Sequence, residues 1–289
     1  MELSELRVVG TDRITPMMMR VRLGGESLAR FRSVSPDQQA KFFFPKPGTG
    51  SVSVPPLPEQ GDGQQRVAGW YRAFMAMPER ERPWMRSFSI RRFHPERGEI
   101  DVDFVLHGND PALVDAEVDE GPAASWARAA RPGDLVGMLG PAVSHHLPVP
   151  AHDWRLLAGD ESALPAIAAL LEDDPSMPTV ALIEVAGAAD EQPLARARWA
   201  GDGLRWLHRD GVLAGRSSVL VDAIRAVRFP DGEPFVWVAG EASVVRGVRR
   251  HLVRERRLDR RRVAFCGYWR QHLTQETSRP RRTSPSGRR

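Results

Sequence analysis

Within four consecutive residues, Arg86-Ser87-Phe88-Ser89, the chain sets a guanidinium, a flat aromatic ring and two hydroxyls. In an extended strand Arg86 and Phe88 share one face, while Ser87, Ser89 and Arg91 share the other. A guanidinium there can meet a pyrophosphate, a phenyl ring can carry a planar heterocycle, and a serine hydroxyl can reach a ring nitrogen. The same tetrapeptide also fits a half-buried strand with exposed arginines, and short motifs often match by chance. A second stretch, Gly121-Pro122-Ala123-Ala124-Ser125-Trp126, is complementary. Pro122 suits a first helical position, so a helix is expected to run on to about Ala130. Its small residues let main-chain N–H groups approach phosphate oxygens, and its dipole favours negative charge. An ordinary capped helix is the competing reading.

Other reactive side chains are sparse. Cys266 is the single cysteine among 289 residues. That excludes an intrachain disulfide, a four-cysteine zinc site and a cysteine-ligated iron–sulfur cluster. In its apolar strand it reads as a buried thiol. Electron transfer would therefore use an organic cofactor or a metal brought from outside. His145-His146 reads as a solvated loop rather than a substrate contact, and Trp237 and Tyr268 read as core aromatics. Arg246 to Arg262 holds nine arginines with Glu255 and Asp259 among them. A solvated helix face explains that run better than a phosphate or acidic-partner patch. The formal charge is +4, and Thr274–Arg289, with five arginines and one glutamate, carries all of it. The body before it is balanced, so no nucleic-acid partner is expected. No apolar run approaches the roughly 20 residues that span a bilayer, and Met1–Gly10 lacks a basic-then-apolar signal. A soluble cytoplasmic protein without membrane insertion is the expectation.

The elements that must position these residues fall into two regimes. Up to residue 148 the pattern is strands and turns: Ile14–Leu23, Lys41–Phe44, Met85–Phe93, Glu99–Gly108 and Leu135–Leu139, with His94–Gly98 as a hairpin turn. Five or six short strands without intervening long helices predict an antiparallel barrel. Pro45–Arg66, rich in Pro, Gly, Ser and Gln, reads as an exposed loop. From Trp154 strands alternate with helices. The expected strands are Trp154–Ala158, Thr179–Val185, Leu204–His208, Phe235–Ala239 and Val263–Trp269; the expected helices are Glu161–Leu171, Ser217–Val227 and Ser243–Leu258. That rhythm predicts a mainly parallel sheet covered on both faces over residues 151–273. Pro148-Val149-Pro150 marks the boundary, and 274–289 reads as a disordered basic tail.

Taken in order, these motifs resemble the siderophore-interacting protein family, flavin-dependent ferric-siderophore reductases of the ferredoxin-reductase-like superfamily. The carriers are Asp37-Gln38-Gln39-Ala40-Lys41, Arg86–Arg91, Phe104–Gly108, Gly121–Trp126, Arg131–Asp134, Ala158–Pro165, Trp237–Glu241 and Gly267-Tyr268-Trp269-Arg270. The resemblance implies an N-terminal antiparallel FAD-binding β-barrel followed by a C-terminal α/β nicotinamide-binding-like lobe. It implies FAD and NAD(P)H as cofactors and a ferric siderophore as substrate. By position, it assigns FAD to Arg86, Ser87, Phe88 and Ser89, with Ser89 near the reactive ring nitrogen. Val105, His107 and Gly108 match a strand end beside the cofactor. Ala123, Ala124, Ser125 and Trp126 match the start of the pyrophosphate helix. Asp160, Ser162, Ala163, Gly240 and Glu241 match the turns of the nicotinamide lobe, with Trp269 beside them. Lys41 and Arg270 match basic positions on the substrate side. Three departures stand out: Phe88 where the family commonly has Tyr, an acidic insertion at Asp110–Glu120, and Ala142–His146 where another Arg usually follows Gly140-Pro141. Two rival readings remain open: a flavoreductase coupled to ferredoxin, and a non-catalytic siderophore-binding module that has lost its flavin.

Overall fold

The computed structural model describes residues 2–46, 52–107, 121–142, 149–195 and 197–271. In the first lobe, seven strands form one antiparallel sheet: β1 (Glu2–Thr15), β2 (Met18–Gly24), β3 (Gln39–Phe44), β4 (Trp84–Ser89), β5 (Arg92–His94), β6 (Glu99–Val105) and β7 (Leu135–Ala142). Their order is β4-β3-β7-β1-β2-β6-β5. The two end strands are consecutive in the chain. At Ile90-Arg91 the backbone crosses from one edge to the other, Ile90 N donating to Gln38 O and Arg91 N to Asp101 O. The sheet thereby curls into a barrel-like shell, and this corner divides the expected Met85–Phe93 strand in two. Ile14–Leu23 is also divided, by a turn at Pro16-Met17, because proline cannot donate to the ladder. Beyond that turn the alternation holds. Val21 and Leu23 face the core, while Arg20 and Arg22 reach Asp103 and Asp101 on β6.

The first lobe does contain a long helix, against expectation. Helix α1 (Gly63–Ala76) begins with a capping box between Asp62 and Gln65. It buries Trp70 and Phe74, one turn apart, against Phe43, Met85 and Leu139. The polar composition before it suggested only loop, yet Val52, Val54 and Leu57 also pack on this cluster. A shorter helix, α2 (Pro122–Ala129), closes the barrel interior with Ala123, Trp126 and Ala127.

The second lobe is a five-stranded, all-parallel sheet of β8 (Trp154–Gly159), β9 (Thr179–Val185), β10 (Trp199–His208), β11 (Pro234–Glu241) and β12 (Val263–Trp269), in the order β10-β9-β8-β11-β12. Every residue of β8 and β9 is buried, as a sheet covered on both faces requires. Helices α3 (Leu164–Asp173), α4 (Val219–Ala226) and α5 (Ala242–Arg250) provide the cover. The expected Ser243–Leu258 helix stops at Arg250 and continues as a wider turn, His251–Glu255. There Arg256 donates to the carbonyls of Arg225 and Val227, and Arg257 takes φ 58°. Strand order reverses between β8 and β11, and the crevice at their carboxyl ends is where open α/β sheets bind ligands.

The lobes are closely joined. Met18 and Val105 pack into the core formed by Leu157, Ile183 and Trp237. Trp237 Nε1 donates to Asp37 Oδ2 at 2.9 Å, and Met17 N to Asp190 Oδ1 at 2.8 Å. Arg91 grips Glu172 of α3 with two bonds of 2.9 and 2.5 Å, and Arg92 adds a third contact at 2.8 Å. Burial opposes the charge on Glu172, but the two guanidinium groups prevail and hold its carboxyl down at about 2. A carboxyl with a depressed folded-state pKa stabilises the fold above its ordinary range and loses that contribution as pH falls through the folded value. Acid titration is therefore expected to weaken the lobe–lobe clamp between about pH 4.5 and 2. Glu172→Gln should flatten the stability profile in that window, and an unchanged profile would exclude the clamp.

Candidate functional site

Strands β3 and β4 pair with Lys41 opposite Ser87, Gln39 opposite Ser89, and Phe42 opposite Arg86. Alternation then gives the pair two working faces. On one, Phe88 packs at 4.4 Å centroid distance from Phe104, while Trp126 of α2 sits 4.9 Å from Phe44 and 5.8 Å from Phe104. Arg86 shares this face and donates to Met85 O, and Phe88 stays half-buried. Helix α2 starts beside these aromatics with Gly121 at φ 74° and Pro122 in its first turn, and no side chain caps it. Its N-cap is a glycine, which has no side chain to compete for the first N–H groups. A guanidinium, an aromatic floor and an uncapped helix start are the donor set that a pyrophosphate with an attached planar ring requires. The residues present thus fit an FAD.

On the other face Lys41 Nζ lies 3.5 Å from Ser87 Oγ, and burial pulls its amine below the usual lysine range. Ser89 is buried with its hydroxyl 3.5 Å from the Tyr268 phenol. Gln39, opposite Ser89, stands on this face beside Tyr268 and Cys266. Burial raises both of those groups, so the phenol stays neutral and accepts from Ser89, and the half-buried Cys266 keeps its proton.

A third group gathers at the carboxyl ends of β8, β11 and β12. Asp160 accepts from Ser162 N at 3.0 Å, Glu241 N at 2.9 Å and Trp269 Nε1 at 2.8 Å. Gly240 stands at φ 141°, where a Cβ would lie 2.7 Å from Asp160 Oδ2, so only glycine allows this approach. Glu241 caps α5, accepting from the backbone of Ser243 and Val244. Ala163 is fully buried against Gly159. His107 reaches this group from the barrel, its ring 5.6 Å from Trp269. The end of β12 is therefore the hub: Tyr268 faces Ser89, Trp269 faces Asp160 and His107, and Arg270 is exposed.

Most of the sequence-derived candidates converge on this seam, but several do not act as free ligands. Val105 packs into the second lobe's core. Asp160 and Glu241 already hold internal bonds and order the strand ends. Gly108, the acidic insertion at 110–120, the 143–148 segment with its two histidines, and the basic tail lie outside the described residues. Sequence reasoning missed a buried cluster beneath Asp160. There Arg209, 1% exposed, lies 2.5 Å from Glu161 and 3.8 Å from Glu184. Glu161 was visible only as the neighbour of Asp160, and nothing in its local sequence points to a partner 48 residues away. Among the described residues no cluster of three His, Cys, Asp or Glu can hold a metal ion, and no helix is long and apolar enough to cross a membrane.

Comparison with known proteins agrees with this geometry. A family model described as the siderophore-interacting FAD-binding domain matches residues 7–145, and one described as siderophore-interacting protein matches 152–272. The NADPH-dependent ferric-chelate reductase of Escherichia coli is 31% identical over 270 residues, 92% of each chain. The ferric vibriobactin reductase of Vibrio cholerae is 30% identical over 266 residues, 91% of this chain and 88% of its own. The crystal structure of a siderophore utilization protein from T. fusca superposes with a TM-score of 0.77 at 35% identity over 94% of each chain. Two lobes of this architecture, a dinucleotide-compatible barrel face and full-length similarity to ferric reductases together mean that the chain belongs to the siderophore-interacting protein family.

Proposed function

We propose that this protein is a ferric-siderophore reductase that takes electrons from NADH or NADPH, passes them through FAD and releases Fe(II) from the chelate inside the cell. The observation carrying this reading is the glycine- and proline-led start of α2 beside the aromatic face that bears Arg86 and Phe88. Arg86 and the first N–H groups of α2 would hold the pyrophosphate of FAD, and Phe88 would support its ring. The chemistry FAD supplies when bound is the conversion of a two-electron hydride donor into single electrons for Fe(III). The chain's own residues orient and exclude water. Ser89, fixed against the Tyr268 phenol, sets a hydroxyl at the seam where the ring edge belongs. Trp269, held by Asp160, walls the nicotinamide side.

Siderophores hold Fe(III) through anionic oxygens, so cations at the substrate edge should raise chelate capture in a salt-dependent way. Lys41 and Arg270 are assigned that task. Lys41→Ala is expected to raise KM for anionic ferric chelates about tenfold, roughly one charge-assisted contact, while flavin reduction by nicotinamide keeps its rate. Stopped-flow measurement of the two half-reactions checks this, and an equal fall in both would make Lys41 structural.

The decisive experiment is anaerobic stopped-flow on purified protein. Flavin bleaching is followed with each nicotinamide and with reduced ferredoxin, then reoxidation with a panel of ferric siderophores. Protein without a flavin spectrum after added FAD would leave only the non-catalytic binding module, and bleaching by ferredoxin alone would favour the ferredoxin-coupled reading.

A further inference from the structure

Charge is strongly segregated in this chain. From Ala242 to Arg262 nine arginines accompany two carboxylates, and the rest of the body up to Leu273 carries an equal excess of acid. The fold turns that segment into one surface. Helix α5 buries Val245 and Val248 and exposes Arg246, Arg249 and Arg250, and the following turns expose Arg254, Arg257, Arg260 and Arg261. The support is rigid. Arg249 lies 5.3 Å above the Phe265 ring and Arg256 4.3 Å above that of Phe229. The Arg256 bonds to the carbonyls of Arg225 and Val227 bring the end of α4 alongside.

Internal demands do not account for this charge. Arg261 pairs with Asp259 and Arg262 with Glu233. The guanidinium groups of Arg246, Arg254, Arg257 and Arg260 have no hydrogen-bond or ion-pair partner among the described residues. Holding so many like charges side by side costs stability through mutual repulsion, and an external anion would relieve it.

The position of the surface narrows the choice of partner. Helix α5 starts at the carboxyl end of β11 and runs back toward the strands' amino ends, where Arg262 meets the carbonyls of Ala151 and Pro234. The arginine surface begins at Arg246, about 8 Å of helix past Glu241, and extends away from the candidate site toward those amino ends. Among the described residues the segment itself exposes no large apolar side chain, so it lacks an apolar anchor of its own of the kind at which protein interfaces concentrate their energy. Its two nearby aromatic rings are already covered by arginines, leaving no platform for stacked bases. A bilayer rich in anionic lipid needs neither feature: basic side chains are drawn to its phosphates across a wet interface. We infer that the arginine face of α5 and its following turn is a peripheral docking surface for anionic membranes, holding the candidate site toward the aqueous side. This inference is independent of the proposed reductase activity.

The test is co-sedimentation of the full chain with phosphatidylcholine vesicles, with and without phosphatidylglycerol, at low and high salt. Binding is expected only with phosphatidylglycerol and should disappear at high salt. Arg246→Glu/Arg250→Glu/Arg254→Glu should cut partitioning by about 100-fold, since each basic group near such a surface contributes roughly a factor of five. Its circular dichroism should match the parent's, and its thermal midpoint should not fall, since the repulsion is relieved. Neutralising the tail instead (Arg279→Gln/Arg281→Gln/Arg282→Gln) should leave most of the binding. Equal partitioning to both vesicle types, an unaffected charge-reversed variant, or loss through the tail variant alone would overturn the inference. So would tighter binding of a nucleic-acid duplex or an acidic protein than of the vesicles at matched salt.

Discussion

Arg209→Ala is expected to lower the unfolding free energy by about 3–5 kcal/mol, the loss typical of removing one partner from a buried ion pair. Arg209 lies between Glu161 and Glu184, and all three side chains are at most 5% exposed. Burial first, then the neighbouring charges of Asp160 and Glu161, already push Glu184 up to about 8 even with Arg209 in place. Glu184 is thus mostly protonated at neutral pH, and without the guanidinium Glu161, itself raised to about 7, would have to take up a proton or remain as an uncompensated buried charge. Either outcome costs more than the lost bond alone. Guanidinium chloride denaturation measures the effect. Glu161→Gln in the Arg209→Ala background should recover part of the loss, because the carboxylate that Arg209 paired with is then gone. A loss below about 1 kcal/mol would mean that the cluster is far wetter than its burial indicates.

Arg86→Ala is expected to yield protein that purifies with little or no flavin. Loss of a charge-assisted contact to a pyrophosphate is worth roughly 1.5–3 kcal/mol, equivalent to about 10- to 150-fold weaker FAD binding. The half-buried Arg86 side chain also bonds Met85 O, a contact within its own strand edge. Arg86→Lys should recover only part of the affinity, because an ammonium cannot reproduce a two-pronged guanidinium contact. Fluorescence titration with FAD provides the measurement. Undiminished flavin content in Arg86→Ala would remove this residue from the phosphate site and shift that task to α2 alone.

The two classes of prediction differ in how far the sequence anticipated them. Arg86, Phe88 and Ser89 were legible because a strand's alternation sorts neighbouring residues onto faces without knowledge of the partner strand. The same local logic located Pro122 at a helix start and the all-buried runs of β8 and β9. It failed at Pro16-Met17 and Ile90-Arg91, where alternation continued across a corner that only pairing with other strands reveals. It also failed at α1, whose stability rests on Trp70 and Phe74 docking on Phe43. The Ser243–Leu258 run looks helical throughout, but Arg256 leaves the helix to satisfy carbonyls of α4.

By itself, then, the amino-acid order determined the succession of strands and helices, the two-lobe plan and the residue types able to meet a dinucleotide, since each depends on patterns spanning fewer than about ten residues. Tertiary structure decided which of those residues remain available. Asp160 and Glu241 are absorbed in ordering the strand ends, Tyr268 becomes a half-buried partner of Ser89, and Arg209 is drawn under the site between two carboxylates. The physical reason is that hydrogen bonds and buried charges are satisfied by whatever the fold brings within about 3 Å. Those partners lie 48 residues apart for Glu161 and Arg209 and 179 apart for Ser89 and Tyr268, separations over which no local pattern carries information.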